Sequence, residues 1–423
     1  MFFIYRFLIV FFYPLIVLYI YLRKIFKKED KYRFKEKIFY SFFLPKRNID
    51  KKLLWFHAAS LGEVKSIFPL ISKLNETNKN LEFLITTVTL SSGRLVEKKY
   101  SKNSNINHRY FPIDINFLIK KFLDSWQPDL IIFVDSEIWP NFLLEIKKRN
   151  IRSVLVNGRI TKKTFDKWIY IANFARKIFN TFDLCLSSSK DSETYLKLLN
   201  VKNLKHIGNL KFTGNINIID EQDKNKELFQ KKKVWCAVST HKGEEDFCFK
   251  THIELKKKFR DLITIIIPRH IDRTKDIQLL CNKLKLKSQI VDDGKFIEEI
   301  CEIIIINSFG TLPIYLRHCQ SVFMGKSMIK KIKEKSGQNP IEAVKLGCKV
   351  YHGPYVHNFK EIYNLLQTYE LANEIKNEID LANNLTNDFN NSQFRKNNKN
   401  ELINALGEKI LCDTTKEINK FLI

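Results

Sequence analysis

None of the eight cysteines is spaced Cys-x-x-Cys from another; Cys185, Cys236, Cys248, Cys281, Cys301, Cys319, Cys348 and Cys412 stand far apart, several inside apolar runs. That spacing argues against a disulfide framework or a cysteine-held zinc site and for reduced core thiols. Acidic residues are also scarce, 46 Asp+Glu against 72 Lys+Arg, a formal charge of +26. Such an excess calls for an anionic partner: nucleic acid, anionic lipid or a phosphorylated small molecule. The chain has no zinc finger, basic zipper or aromatic RNA-binding signature, and its lysines are dispersed, as in Lys231-Lys232-Lys233, so nucleic acid is not expected as a partner. Internal repeats of solenoid spacing are absent.

What is present is enough apolar material, 44% of 423 residues, to fill two cores, and two domains of about 200 residues are the natural expectation. The first stretch, Phe2 to Leu22, is apolar apart from Arg6 and is followed by Arg23, Lys24, Lys27 and Lys28. About 20 apolar residues suffice to cross a bilayer. With no small-residue cleavage site after it, residues 1–24 are expected to be a retained membrane anchor whose basic flank faces the cytoplasm and anionic inner-membrane lipids.

Residues 25–214 then alternate strand-like and helix-like runs, the strands being Leu53–Phe56, Phe83–Thr87, Leu130–Val134, Ser153–Val156, Leu184–Ser187 and Leu204–His206. Residues 215–233 are polar and read as a linker. A second alternation fills 234–370, with strands Val234–Val238, Ile263–Ile267, Ser288–Val291, Ile303–Ile306, Ser321–Met324 and Lys349–His352. Residues 371–423 read as a helical tail packing back across the domains, with Asn383 to Asn400 as surface loop. Strand-helix alternation means α/β architecture: two doubly wound parallel sheets, with ligands at the strand ends facing a cleft.

The motifs sit at those strand ends. His57-Ala58-Ala59-Ser60-Leu61-Gly62-Glu63 joins an apolar strand to an amphipathic helix and places Glu63 as an acid in a cleft. Burial would raise its pKa, while a helix N-terminus and nearby Lys or Arg would lower it. Glu137 and Asn141 follow the buried strand Leu130–Val134, and Asn157 and Arg159 the strand after it, all converging on the edge that carries Ser60, Gly62 and Glu63. In the second domain Ser239-Thr240-His241 leads into a helix, either as an anion site or as a plain N-cap completed by Glu244. Arg269 and His270 end the next strand as a phosphate or carboxylate fork and a donor. Ser336, Gly337 and Asn339 precede Pro340 and Glu342, a carboxylate suited to a ribose diol or to a helix dipole.

Taken in order, His57–Glu63, Glu137-Ile-Trp-Pro-Asn141, Asn157-Gly-Arg159, Ser239–Glu245, Pro268-Arg-His270, Gly337-Gln-Asn-Pro-Ile-Glu342 and Gly353-Pro354 resemble the Kdo (3-deoxy-D-manno-octulosonic acid) transferases of lipopolysaccharide synthesis. The resemblance implies a GT-B fold, CMP-Kdo as donor co-substrate with no further cofactor, and a tetra-acylated lipid A precursor as acceptor. It implies Glu63 as general base. Ser239, Thr240 and His241 would face the phosphate, Arg269 the phosphate or the sugar carboxylate, and Asn339 and Glu342 the nucleotide and its ribose. Where the family often shows an Asp before Met-Gly-Glu-Leu, this chain has Asn307-Ser308-Phe309-Gly310-Thr311-Leu312, so only Gly310 carries over, and the Lys326–Lys335 stretch is a few residues longer than the family pattern.

The chemistry is consistent with that expectation. Breaking Kdo from CMP needs a base for the acceptor hydroxyl and fixed donors for the leaving phosphate. No Asp-x-Asp motif ends a strand, so a metal-independent inverting transfer is expected. The competing expectations are another GT-B enzyme using a UDP-sugar, as transferase or epimerase, and a non-enzymatic protein binding anionic lipid.

Overall fold

Two parallel sheets of seven strands each organise the chain. The computed structural model describes residues 2–45, 47–214, 224–308, 310–331, 336–391 and 399–422. It divides into one unit of Met1–Gly214 with Leu406–Ile423 and a second of Asn215–Ala405. The start of the polar stretch after Gly214, residues 215–223, and the end of the lysine-rich stretch, 332–335, lie outside the described residues, as does Phe309.

The first sheet is built from β1 (Lys52–His57), β2 (Leu81–Thr87), β3 (Ile106–Tyr110), β4 (Leu130–Val134), β5 (Arg152–Gly158), β6 (Leu184–Ser187) and β7 (Leu204–His206). Its order is β3-β2-β1-β4-β5-β6-β7, with every pairing parallel. Chain direction across the sheet reverses between β1 and β4, so the loops after these two strands diverge and leave a crevice at their carboxyl ends. β1 and β4 are buried on both faces because helices cover both sides. An aromatic core fixes the stack: Trp55 packs on Phe111, Phe122, Phe133 and Phe142 with ring centroids 5.0 to 6.2 Å apart.

The second sheet contains β8 (Lys233–Thr240), β9 (Leu262–Pro268), β10 (Ser288–Val291), β11 (Ile303–Ile306), β12 (Ser321–Met324), β13 (Lys349–His352) and β14 (Ala372–Glu374). Its order, β10-β11-β9-β8-β12-β13-β14, is again wholly parallel and puts the switch point between β8 and β12. Among the described residues two strands had no counterpart in the sequence reading, β3 and β14. Both are sheet edges, where one side needs no apolar cover: β3 reads Ile-Asn-His-Arg-Tyr and β14 has three residues. The tail is divided. β14 and the helix Glu378–Asn390 belong to the second unit, and the helix takes in Asn383 to Asn390, where a loop was expected. Leu406–Ile423 belong to the first.

The N-terminus departs from a straight anchor. It forms α1 (Phe2–Phe11) and α2 (Tyr13–Ile25), bent by 51°; no single helix among the described residues is long and apolar enough to cross a membrane, whereas the bent pair together has the length and composition for it. Pro14 explains the break: it lacks an N–H and its ring cannot pass the preceding turn. One face of the pair packs on the first unit. Ile16, Val17 and Ile20 meet Phe34, Ile38 and Ile113. Tyr5 Oη donates to Asp114 Oδ2 at 2.7 Å, Arg6 Nε to Asn141 Oδ1 at 3.1 Å, and Tyr13 Oη to the Ile38 carbonyl at 2.6 Å. The opposite face exposes Phe3, Phe7, Phe11, Leu15, Leu18 and Leu22.

Candidate active site

At the end of β1, Ser60 caps α3 (Leu61–Thr77) and Glu63 is its third residue. The carboxylate turns back on the cap: Oε1 accepts from Ser60 Oγ at 2.6 Å and Oε2 from the Ala59 amide at 2.8 Å, while Ser60 Oγ accepts the Glu63 amide at 3.4 Å. This is a capping-box exchange displaced by one residue. Burial raises the Glu63 pKa to about 7, with the Glu137 and Asp135 carboxylates adding to the rise and the Ser60 and Ala59 hydrogen bonds opposing it. A carboxylate poised near neutrality can take a proton and release it. Gly62 has no positive φ, and a Cβ there would meet nothing within 4 Å. Neither backbone conformation nor packing requires this glycine.

Glu137, across the switch point after β4, is held ionised. Burial pushes its pKa up, but hydrogen bonds from His57 and Trp139 bring it below the usual carboxylate value. Trp139 Nε1 donates to its Oε2 at 2.9 Å and His57 Nε2 lies 3.3 Å from the same oxygen. His57 is fully buried, stacked on Phe111 at 3.7 Å, with Nδ1 2.9 Å from Thr86 Oγ1, which itself accepts from Trp55 Nε1 at 2.8 Å. A carboxylate only accepts, so the tautomer that satisfies the chain carries its hydrogen on Nε2 and takes the Thr86 hydroxyl on Nδ1.

Asn157 is buried; its Oδ1 accepts from the Leu210 amide at 2.9 Å, and its Nδ2 has no partner among the described residues. Arg159 joins the same loop set, its amide donating to the Asp135 carbonyl at 3.2 Å. Asn141 has a different job. Its amide group is spent on the Asp114 carbonyl (2.6 Å) and Arg6, tying the helix Pro140–Lys148 to the N-terminal helices.

In the second unit the loop after β8 meets the loop after β12. Ser239 has φ 57°, Thr240 is buried with an unpartnered hydroxyl, and the cap of the helix Glu244–Lys256 is Gly243, not Ser239 or Thr240. The organising group is Glu244, 1% exposed, whose carboxylate accepts from four backbone amides: His241 (3.0 Å), Lys326 (2.6 Å), Ser327 (2.9 Å) and Met328 (3.0 Å). Gly325 lets the two strands end side by side, since a Cβ there would lie 2.6 Å from the Ser239 carbonyl. His241 Nδ1 sits 3.1 Å from that carbonyl; burial lowers the ring's pKa, and Lys326 and His270 add to the fall, so it is neutral at pH 7. Its ring lies edge-on to His270 at 5.7 Å. Arg269 is exposed and its amide donates to the Thr240 carbonyl at 3.1 Å.

Ser336 is fully buried and accepts the His357 amide at 3.4 Å, and Gly337, at φ 87°, passes against the Val356 backbone. The Asn339 side chain makes a local turn to the Ile341 amide at 3.1 Å. Glu342 is half-buried, with no side-chain partner among the described residues. Gly310 holds φ 84° in the loop after β11, where Asn307 Nδ2 donates to Asp292 at 2.8 Å.

Four non-glycine residues with left-handed backbone, Asp135, Asn157, Ser239 and Lys326, lie at the carboxyl ends of β4, β5, β8 and β12. Such strain, of order 1 kcal/mol or more each, collects where loops are shaped for function. Sequence reasoning did not single out Asp135 or His57 as separate site groups, nor Glu244 as more than a cap, nor Gly325. The Glu244 signal was its place three residues after His241; a strand-end glycine next to a switch point marked Gly325. Among the described residues no group of three or more His, Cys, Asp or Glu side chains could hold a metal ion. A cavity lined by Arg176, Asn180, Lys197 and Lys202 lies at the amino ends of β6 and β7, the edge opposite Glu63.

Two parallel Rossmann-like sheets, each with polar loops at its switch point, define a GT-B-like fold. Solved structures agree on the fold: UDP-GlcNAc 2-epimerase from Neisseria meningitidis aligns at TM-score 0.58 and 15% identity over 88% of this chain and 99% of that one. The glycotransferase of kitacinnamycin aligns at TM-score 0.55 and 10% identity over 88% and 99%. The chain's family follows from sequence. Residues 32–214 match the family 3-deoxy-D-manno-octulosonic-acid transferase (kdotransferase). The 3-deoxy-D-manno-octulosonic acid transferase of Rickettsia typhi is 30% identical over 80% of this chain and 72% of its own length. That of Rickettsia bellii is 29% identical over 96% of both, and that of Haemophilus influenzae 27% identical over 87% and 85%. The chain belongs to the 3-deoxy-D-manno-octulosonic acid transferase family.

Proposed function

We infer that the chain moves Kdo from CMP-Kdo to a lipid A precursor in lipopolysaccharide synthesis, with Glu63 as the base. The carrying observation is the Glu63 carboxylate at the first switch point with its pKa raised to about 7. At neutral pH roughly half of the molecules hold it ionised, able to take a proton without a large driving-force penalty. The acceptor hydroxyl gives its proton to Glu63, its oxygen bonds to the anomeric carbon of Kdo, and the carbon–phosphate-oxygen bond breaks with its electron pair leaving on CMP. Inversion follows from attack opposite the leaving group. Gly62 and Ser60 border the acceptor side, with Glu137, Asn157 and Arg159 beyond; Asn141 supports that wall from behind.

Residues 25–214 are assigned to the acceptor and 234–370 to the donor. The unpartnered Thr240 hydroxyl, Ser239, His241 and Arg269 suit the leaving phosphate, with His270 beside them; a buried hydroxyl without a partner costs about 1–3 kcal/mol, which a phosphate oxygen would offset. Asn339 and Glu342 suit the nucleotide and its ribose, and Gly310, Ser336 and Gly337 shape the loops around it. We place the chain on the cytoplasmic face of the inner membrane, lying on one leaflet through the exposed apolar face of α1 and α2, with Arg23, Lys24, Lys27 and Lys28 attracting anionic lipid.

The test is CMP release from CMP-Kdo with and without lipid A precursor. Acceptor-dependent release supports the reading. Turnover of a UDP-sugar in place of CMP-Kdo, or lipid binding without any release, overturns it.

A further inference from the structure

The C-terminal end of α2 meets the start of α4 (Leu90–Tyr100) around a surface cavity of about 530 Å³ lined by Arg23, Lys28, Thr89, Leu90, Ser91 and Arg94. Three cations and two hydroxyls surround one space. Arg23 pairs with Glu29 at 2.7 Å, but Glu29 also receives Lys37 at 2.5 Å, so one carboxylate answers two cations. Lys28 and Arg94 have no anionic partner among the described residues. The Thr89 hydroxyl, 3.2 Å from Ser91 Oγ, caps α4 and accepts the Ser92 amide at 3.3 Å, leaving the Leu90 and Ser91 amides at the positive end of an eleven-residue helix. Local structure answers Arg23 through Glu29 but leaves the charges of Lys28 and Arg94 for an anion from outside.

We propose that this cavity binds a phosphate group carried on the lipid acceptor, an assignment that rests on the acceptor reading above. Two placements support it. Arg23 follows the exposed apolar residues Leu15, Leu18 and Leu22, and Lys28 follows Ile25 and Phe26, so the cavity lies where an apolar surface ends, at the depth of lipid headgroups. The same loop touches the base's turn: Ser92 Oγ donates to the Ala59 carbonyl at 3.1 Å, and the Ala59 amide holds Glu63. A phosphate seated among Arg23, Lys28 and Arg94 anchors the acceptor beside the carboxylate that deprotonates it. A tetrahedral dianion can engage three cations and two hydroxyls at once, which a planar carboxylate cannot.

The experiment measures KM and kcat for phosphorylated lipid A precursor and for its dephosphorylated form, in wild type, Arg94→Ala, Lys28→Ala and Arg94→Lys. Arg176→Ala, in the cavity at the opposite edge of the sheet, is the control. Arg94→Ala should raise KM for the phosphorylated acceptor roughly tenfold, leave kcat within about twofold, and leave KM for the dephosphorylated acceptor unchanged. Lys28→Ala should act in the same direction, and Arg94→Lys should recover part of the loss. Equal KM in wild type and variants, or equal shifts for both acceptors, overturns the proposal. Sedimentation with phosphatidate-containing phosphatidylcholine vesicles separates the sources: lost vesicle binding at unchanged acceptor KM assigns the cavity to bilayer phospholipid and overturns the acceptor assignment. Wild-type enzyme that turns over neither acceptor sinks the underlying functional reading instead.

Discussion

Ser60 Oγ and Glu63 Oε1 are 2.6 Å apart, and the same hydroxyl accepts the Glu63 amide. The helix cap and the proposed base are therefore one structure. The cap orients the carboxylate; burial and two neighbouring carboxylates set its proton affinity.

The two roles separate on substitution by glutamine. The Glu63 pKa rises from 4.5 to about 7 on folding, so the folded chain holds this proton more tightly than the unfolded one. That stabilisation is complete below the unfolded value and is lost as pH rises through about 7. Glutamine stays neutral, so Glu63→Gln should equal wild type in stability at pH 4 and exceed it by roughly 1–2 kcal/mol at pH 8. Acceptor-dependent turnover should vanish at both. Denaturant unfolding at the two pH values checks the first statement; a variant less stable at pH 8 than at pH 4, relative to wild type, contradicts it.

Gly62 gives the opposite separation. A methyl group there meets no protein atom within 4 Å, and alanine is the better helix former, so Gly62→Ala should stabilise by about 0.5–1 kcal/mol. If the open space serves the acceptor, turnover should fall roughly tenfold or more through misplacement of the hydroxyl. Unchanged kinetics would remove Gly62 from the acceptor side.

Glu244 holds two loops by four amide hydrogen bonds inside the second unit. Glu244→Gln replaces half of the acceptor with a donor facing amide hydrogens and should cost roughly 2–4 kcal/mol. Amide exchange at Lys326, Ser327 and Met328 should quicken, and the KM for CMP-Kdo should rise. Unaltered exchange at these amides would show that the loops hold without it.

Tyr5 tests the docking of the N-terminal helices. Asp114 is buried, and burial raises its pKa against hydrogen bonds from Tyr5, Asn141 and Phe142. Tyr5→Phe leaves the two backbone donors and removes the hydroxyl, a loss of about 1–3 kcal/mol. Limited proteolysis near α1 should become faster. No change would mean that the apolar contacts of α2 alone hold the pair.

How far the sequence discloses this fold depends on burial. The strands buried on both faces, such as Leu130–Val134 and Ile303–Ile306, are continuous apolar runs and are read directly. The edge strands β3 and β14 escape because half of their surface is wet, and polar residues such as Asn107 and Arg109 break the pattern. Pro14 was visible as a helix breaker within an otherwise apolar segment, yet hydropathy alone suggests one straight span. The site divides in the same way. Glu63 follows from a strand-to-helix junction, whereas the diversion of Asn141 to Asp114 and Arg6 depends on a partner 135 residues away, which local spacing does not reveal.

The central claim is that Glu63 deprotonates a lipid-borne hydroxyl for transfer of Kdo. Its most direct test is mass spectrometry of lipid A precursor after incubation at pH 8 with CMP-Kdo and either wild-type or Glu63→Gln enzyme in membranes. The wild type should raise the lipid mass by whole Kdo units while the folded variant leaves it unchanged. An unchanged lipid with the wild type, or equal Kdo addition by the variant, would contradict the account.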